Sequence, residues 1–515
     1  MEPTMDHNNE KKAQPDDVDL KAVPATDIGP GDLISYGDVD PVLAAKMHLL
    51  NEAINEIGWT NYQLKLFFLN GFGYAVDSLL TFYIGIANPQ AVLEFHPPYS
   101  GGGSIALYAG LLVGVLGWGL TADIIGRHWA FNLSLVSSAV LTIIVGASPN
   151  YNFFAAFVAL AAAGAGGNLA LDTTVFLEFL PSKYQFMIIV MALWWGVGQT
   201  VAGLMAWGFM PNFSCTSSDF CPKSENMGWR YLYYVGGGFV LLLAMLRIFV
   251  LRFRETPKYL LCSGQDEACV ELLQDVAKKY NRPCSLTLDQ LQRLGDVTTA
   301  HASTRYSLSE VALHFRGLFA TRKLAITSIV LWMLWACIGL AYPLYYLFLP
   351  TYLATRGAEF GETSAYITWR NYTLANFCAI FGPLFAGYIT TIRVIGRKFT
   401  MVIGALSTMA IFFGYTAVKS ADQNVALNCI GSLTINVYFS ALYAYSPEVL
   451  PSAHRATGTG FAISFARVMG IVAAVIGTHV DTSTSVPIYV AASLFAVMAV
   501  LAAIAPYEPQ RGQSI

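Results

Sequence analysis

A few charged residues stand where charge is expensive. Asp77 closes the run Gly71-Phe72-Gly73-Tyr74-Ala75-Val76-Asp77, Asp172 follows Asn168 by four residues, and Arg247 and Arg467 interrupt apolar stretches. A charge at the centre of a bilayer costs about 2.5–3.5 kcal/mol on insertion scales, so one that persists has a partner or a function. Burial disfavours the ionised form of a carboxylate, and a carboxylate that trades its charge for a proton is what a proton-coupled carrier needs. Asp77 and Asp172 are therefore the candidate proton-coupling residues. Each can instead be a structural anchor that only holds two helices together. Arg467 needs Asp77, Asp172 or an anionic ligand beside it, and a guanidinium can clamp a substrate anion. Arg247, nearer the end of its stretch, is expected to snorkel to the membrane surface.

Uncharged groups add to the candidate substrate contacts. Asn168 shares a helix face with Asp172. Gln199 offers both a donor and an acceptor. Tyr342, Tyr345 and Tyr346 fall at i, i+3 and i+4, and Tyr443 stands in a second aromatic-rich stretch. Such a face can line a pocket for a ring-bearing or sugar-like ligand, or it can simply pack. With Arg467, these make up the expected substrate set. The sequence shows no metal-ligand cluster, no Walker loop and no readable catalytic triad. No metal and no cofactor are expected, and an enzyme is disfavoured.

Helices in a membrane must position these residues. The chain has 515 residues, 55% hydrophobic and 12% charged, against about 25% charged in an ordinary soluble domain. One span takes about 20 apolar residues. Apolar runs lie near 64–86, 104–122, 129–148, 152–179, 186–209, 231–252, 325–353, 369–391, 399–418, 425–447, 457–478 and 486–505. They predict twelve transmembrane helices, an all-α membrane protein. The net charge of -3 gives no reason to expect nucleic acid as a partner.

The expected organisation is a disordered cytosolic tail at 1–60, a six-helix bundle at 61–253, a cytosolic central loop at 254–323, a second bundle at 324–506 and a short tail at 507–515. The central loop carries an amphipathic pattern at Glu267–Tyr280, with Leu272, Leu273, Val276 and Ala277 on one side. Arg127, Lys183, Arg393, Arg397, Lys398 and Arg455 fall on one side of the membrane with the basic central loop, which places both termini in the cytosol. The loop from Pro211 to Arg230 is then outside. It holds Cys215 and Cys221, a sensible disulfide only on an oxidising side, and the glycosylation acceptor Asn212-Phe213-Ser214.

The halves echo each other at a constant offset of 270 residues: Gly126-Arg127-His128 against Gly396-Arg397-Lys398, and Glu178-Phe179-Leu180-Pro181 against Glu448-Val449-Leu450-Pro451. Paired six-helix halves are the build of major facilitator transporters, whose sites lie at the midplane between halves. The run Gly119-Leu120-Thr121-Ala122-Asp123-Ile124-Ile125-Gly126-Arg127-His128 resembles that superfamily's loop 2–3 signature, with two basic positions replaced by Ile124 and His128. Gly164-Ala165-Gly166-Gly167-Asn168, followed by Glu178-Phe179-Leu180-Pro181, resembles span 4 of the synaptic-vesicle-glycoprotein-like and organic-ion branch. Phe176-Leu177-Glu178-Phe179-Leu180-Pro181, with Trp194-Trp195 and Gly198-Gln199, resembles a fungal, sugar-transporter-like set of that branch. Glu255-Thr256-Pro257-Lys258-Tyr259-Leu260 resembles the run that follows span 6 there.

The resemblance implies a charge latch, made of Gly119, Asp123, Gly126, Arg127, Glu178 and Arg254 in the first half and Gly396, Arg397, Glu448 and Arg455 in the second. It also implies that Gln199 contacts substrate. The segment Ile338-Gly339-Leu340-Ala341-Tyr342-Pro343 lacks the Gln-Gln signature of hexose porters. The function expected is secondary active transport of a small polar solute, an organic ion or metabolite and in some degree sugar-like. Its partners are protons, the solute and the lipid bilayer, and a monomer is expected to suffice. An exporter of a toxin or secondary metabolite, or a non-transporting nutrient sensor, are the alternatives. The plasma membrane is the expected location, with the vacuolar membrane leaving the same marks.

Overall fold

A computed structural model describes residues 41–508 apart from 126, 216–220, 252–253, 296–317, 320, 347–348, 350, 352, 356–363, 393, 451–454, 480–483 and 485. The side chains at 41, 44, 119–128, 169–171, 174, 250–251 and 455–457 also lie outside the description.

Twelve helical spans are present among the described residues. In the first bundle they are Asn61–Phe95, Gly102–Ile125, Arg127–Gly146, Tyr151–Ala165 continued by Asn168–Glu178, Met187–Met191 continued by Leu193–Phe213, and Gly228–Met245. In the second they are Arg322–Tyr346, Ala365–Cys378 continued by Phe381–Thr390, Gly396–Tyr415, Ala421–Val449, Arg455–His479 and Val486–Ile504. Nine of these are long and apolar enough to cross a membrane by length and composition, and Gly102–Trp118 and Tyr151–Ala165 are shorter apolar helices.

Local chemistry sets several ends. Thr60 caps span 1 in a capping box with Gln63, whose Oε1 accepts the Thr60 backbone N–H at 2.9 Å. Asn150 and Ser420 cap spans 4 and 10, each accepting the backbone N–H three residues on. Span 4 breaks at Gly166-Gly167, so Asn168 opens its second piece. Span 6 ends in a π-helical stretch, Leu246–Leu251, which contains Arg247. Widened turns of that kind re-aim a side chain relative to the α-helix before them.

The two bundles meet chiefly through span 2 against span 11 and span 5 against span 8. Beside the first bundle sits a small helical cap. The expected tail becomes helix at Pro41–Ile57, and Leu50, Ala53, Ile54 and Ile57 are buried. They pack on Pro257–Cys262 and Asp266–Lys279 of the central loop. Lys46 forms a buried ion pair with Asp266. Glu56 accepts both the backbone N–H and the hydroxyl of Ser285 at 2.7 Å; the two bonds hold its carboxyl below the usual range. Disorder is thus corrected from residue 41 onward, because an apolar stripe there finds a partner stripe more than 200 residues away.

Candidate substrate and proton site

Asp77 is fully buried in the middle of span 1. Arg467 of span 11 reaches it across the bundle boundary, Nη2 donating to Asp77 Oδ2 at 3.1 Å. The pair is incomplete. Asp77 Oδ1 and Arg467 Nε are buried and have no hydrogen-bond partner among the described residues. Arg467 also lies on the wall of a small cavity between the bundles. The cavity is lined by Thr81, Tyr108, Trp195, Trp335, Ile338, Gly339, Tyr342, Pro343, Phe439, Tyr443, Ile463 and Ala466 as well. This matches one of the partners expected for Arg467, and it joins two of the expected site residues.

The aromatic walls are pinned from behind. Trp195 Nε1 donates to the Tyr342 hydroxyl at 2.7 Å, and Gln199 Nε2 donates to the same hydroxyl. Trp335 Nε1 donates to Ser446 Oγ at 2.8 Å. Trp335 meets Tyr443 edge-on at 4.7 Å between ring centres, and Tyr342 stacks on Phe439 at 5.3 Å. With both indole N–H groups satisfied elsewhere, the two tryptophans offer ring surface to the cavity rather than donors. Gln199 is not on the cavity wall itself but bonds Tyr342, which is. Tyr346 is turned toward Phe82 of span 1 and accepts from Asn436 Nδ2 at 3.2 Å. Tyr345 is not on the cavity wall: its hydroxyl donates to Asn428 Oδ1 at 2.8 Å and its ring packs on Phe412. Three tyrosines on one helix face thus divide, because that face spans both the bundle boundary and the second bundle's own core.

Asp172 and Asn168 belong to a different centre. Arg247 Nη2 donates to Asp172 Oδ1 at 3.0 Å, with both side chains fully buried, and the guanidinium lies over the Phe131 ring. The expectation that Arg247 snorkels is corrected; the π-helical stretch carries it inward to the carboxylate. A Cβ at Gly73 would collide with that carboxylate, so the glycine is what lets Asp172 lie against span 1. Asn168 Oδ1 accepts from Ser134 Oγ. Both residues are tied within the first bundle and neither lines the cavity.

Of the expected latch, Arg397 pairs with Glu448 in the second bundle. Gly396 takes φ +58°, and Glu508 accepts the backbone N–H groups of Arg397 at 2.7 Å and Lys398 at 3.1 Å. Glu178 is buried at the end of span 4. Arg254 pairs with Asp275 of the cap at 2.8 Å, both side chains about half-exposed. Gly119, Asp123, Gly126, Arg127 and Arg455 lie outside the described side chains. Cys215 and Cys221 are joined by a disulfide, with Cα atoms 5.8 Å apart, and Asn212 is exposed nearby. Sequence reasoning missed Glu508, Tyr108, Phe439 and Ser446. Glu508 was signalled by an acid just past span 12, opposite a loop rich in arginine and lysine. The others carry no pattern apart from ordinary packing.

Twelve helices in two bundles, with a buried ion pair and a cavity at their boundary, define a multi-pass membrane transporter. The profile described as Major Facilitator Superfamily matches residues 68–415, and the chain belongs to that family. It is 39% identical over 507 residues to "MFS siderochrome iron transporter 1" of Ceriporiopsis subvermispora, covering 96% of each chain. It is 25% identical to "Niacin transporter NiaP" of Acinetobacter baylyi, over 81% of this chain and 87% of that one. The fold matches the xylose transporter XylE from E. coli in a partially occluded inward-open conformation. The TM-score is 0.64 at 15% identity, covering 88% of this chain and 100% of that one. The protein is a secondary transporter, not an enzyme.

Proposed function

We propose that the protein is a proton-coupled carrier of a small organic anion that works by alternating access, with Asp77 as the proton site and Arg467 as the anion site. The observation that carries this is the incomplete Asp77–Arg467 pair, held between spans of different bundles with Arg467 on the cavity wall.

Charge parity supplies the coupling. In the empty carrier the two charges cancel, and the pair ties span 1 to span 11. A proton on Asp77 removes the attraction and leaves Arg467 to a ligand anion, which restores neutrality. A carrier holding only the proton or only the anion buries one unpaired charge. Such a state is costly in a low-dielectric interior, so it crosses slowly. Empty and doubly loaded carriers therefore move, and half-loaded ones do not. Reorientation is rocking of the bundles about this midplane. The relatives' named cargoes, siderochrome iron and niacin, support an organic solute in general. The disulfide loop and its exposed Asn212 support a secretory-route membrane, the plasma membrane by preference.

The test is flux into liposomes loaded with a pH dye. An inward pH gradient should accelerate uptake of an anion pool, and Asp77→Asn should remove the acceleration. Uptake in that variant with an unchanged pH dependence overturns the reading. So does binding without translocation, which a sensor would show.

A further inference from the structure

We infer that the solute is a small, flat aromatic monocarboxylate. The inference rests on the anion site just proposed and assigns the rest of the pocket around it.

Three observations fix the class. First, among the described residues the wall carries one guanidinium, whose Nε has no hydrogen-bond partner there, which suits one carboxylate rather than several. Second, ring surface dominates the remaining wall. Trp195 and Trp335 have their N–H groups on Tyr342 and Ser446, and Tyr342 is held in turn by two donors. Third, the rings are fixed by one another, Trp335 against Tyr443 and Tyr342 against Phe439. A sugar needs a hydrogen-bond partner for nearly every hydroxyl, and among the described wall side chains only Arg467 and the hydroxyls of Tyr108, Tyr342 and Tyr443 remain to supply them; each unmatched hydroxyl costs desolvation. An aromatic ring needs only faces and edges, which preorganised rings supply without ordering cost.

The experiment uses the full chain in detergent, with benzoate as the probe and tryptophan fluorescence as the readout. Benzoate is expected to quench saturably. Benzamide, which keeps the ring and lacks the charge, should compete at least 100-fold more weakly. Cyclohexanecarboxylate, which keeps the charge and lacks the aromatic ring, should compete about tenfold more weakly. Arg467→Gln should lose benzoate binding by a similar factor of about 100, and Trp335→Leu should remove the preference for benzoate over cyclohexanecarboxylate. The competition series on the unaltered protein stands even where a variant fails to fold. Equal competition by benzamide, equal competition by cyclohexanecarboxylate, displacement by glucose or xylose, or absence of any benzoate binding each overturns the assignment. Benzoate transport that ignores the pH gradient sinks the proton reading and leaves this one standing. Proton movement driven only by a non-aromatic solute does the reverse.

Discussion

Asp77 and Arg467 stand 390 positions apart, on the first and the eleventh span, and close the bundle boundary with one hydrogen-bonded ion pair. Removing one partner of a buried pair strands the other, at about 3–5 kcal/mol, whereas replacing both is often near neutral. Arg467→Leu alone should therefore lower the thermal unfolding temperature in detergent sharply, and Asp77→Asn with Arg467→Leu should recover most of the loss. Simple addition of the two single losses would show that the charges do not interact.

The second pair separates stability from coupling. Asp172 and Arg247 are both in the first bundle and away from the cavity wall. Asp172→Asn should lower the unfolding temperature yet leave the ratio of protons to solute unchanged, unlike Asp77→Asn. Gly73→Ala pushes a methyl into the same carboxylate and should cost about 1–3 kcal/mol as overpacking. A changed proton ratio in Asp172→Asn would move the coupling role to this centre.

The cap can be read by thiol chemistry. Cys269 is buried on the Asp266–Lys279 helix, and burial, with the Asp266 carboxylate and Cys284 beside it, pushes its thiol up to about 12. The thiolate is the reactive form, so labelling at pH 7–8 should be slow and should rise with pH. Leu50→Ala should cost about 2–5 kcal/mol of local packing and speed maleimide labelling of a variant that keeps Cys269 as its only free cysteine. An unchanged rate would mean that Pro41–Ile57 does not shield that thiol.

Glu508 acts as a cap for the start of span 9. Glu508→Ala frees two backbone N–H groups and should cost about 0.5–2 kcal/mol, the range of other helix caps. Gly396→Ala places a side chain at φ +58° and against the same carboxylate, so its loss should not add to that of Glu508→Ala. A double-mutant cycle on unfolding temperature checks the overlap.

Much of the fold was legible because the bilayer demands it. Unbroken apolar runs counted the spans, and the echo of Gly126-Arg127 by Gly396-Arg397 split them six and six. The isolated charges marked Asp77, Asp172 and Arg467 for the same reason. What the sequence could not supply was pairing. Asp77 sees Arg467 and Asp172 sees Arg247, a choice made by helix packing and by a local π-helical turn with no sequence signature. The division of Tyr342 from Tyr345 has the same origin, since one helix face serves two neighbours. The tail misled because its described part is helical over Pro41–Ile57, and polar composition over the whole stretch hides that short amphipathic segment.

The cap is tied to the first bundle: Asn55 accepts from the Ser182 N–H at 2.8 Å, and the Trp59 ring lies against that of Tyr184. The segment just after span 12 is fastened to the second bundle through Glu508 and through Tyr445, whose hydroxyl donates to the Tyr507 carbonyl at 2.8 Å. The polypeptide thus carries a pointer on each moving half. A dye on the cap helix and another beyond Glu508 would form a molecular caliper, opening and closing once per turnover while both labels stay clear of the permeation path.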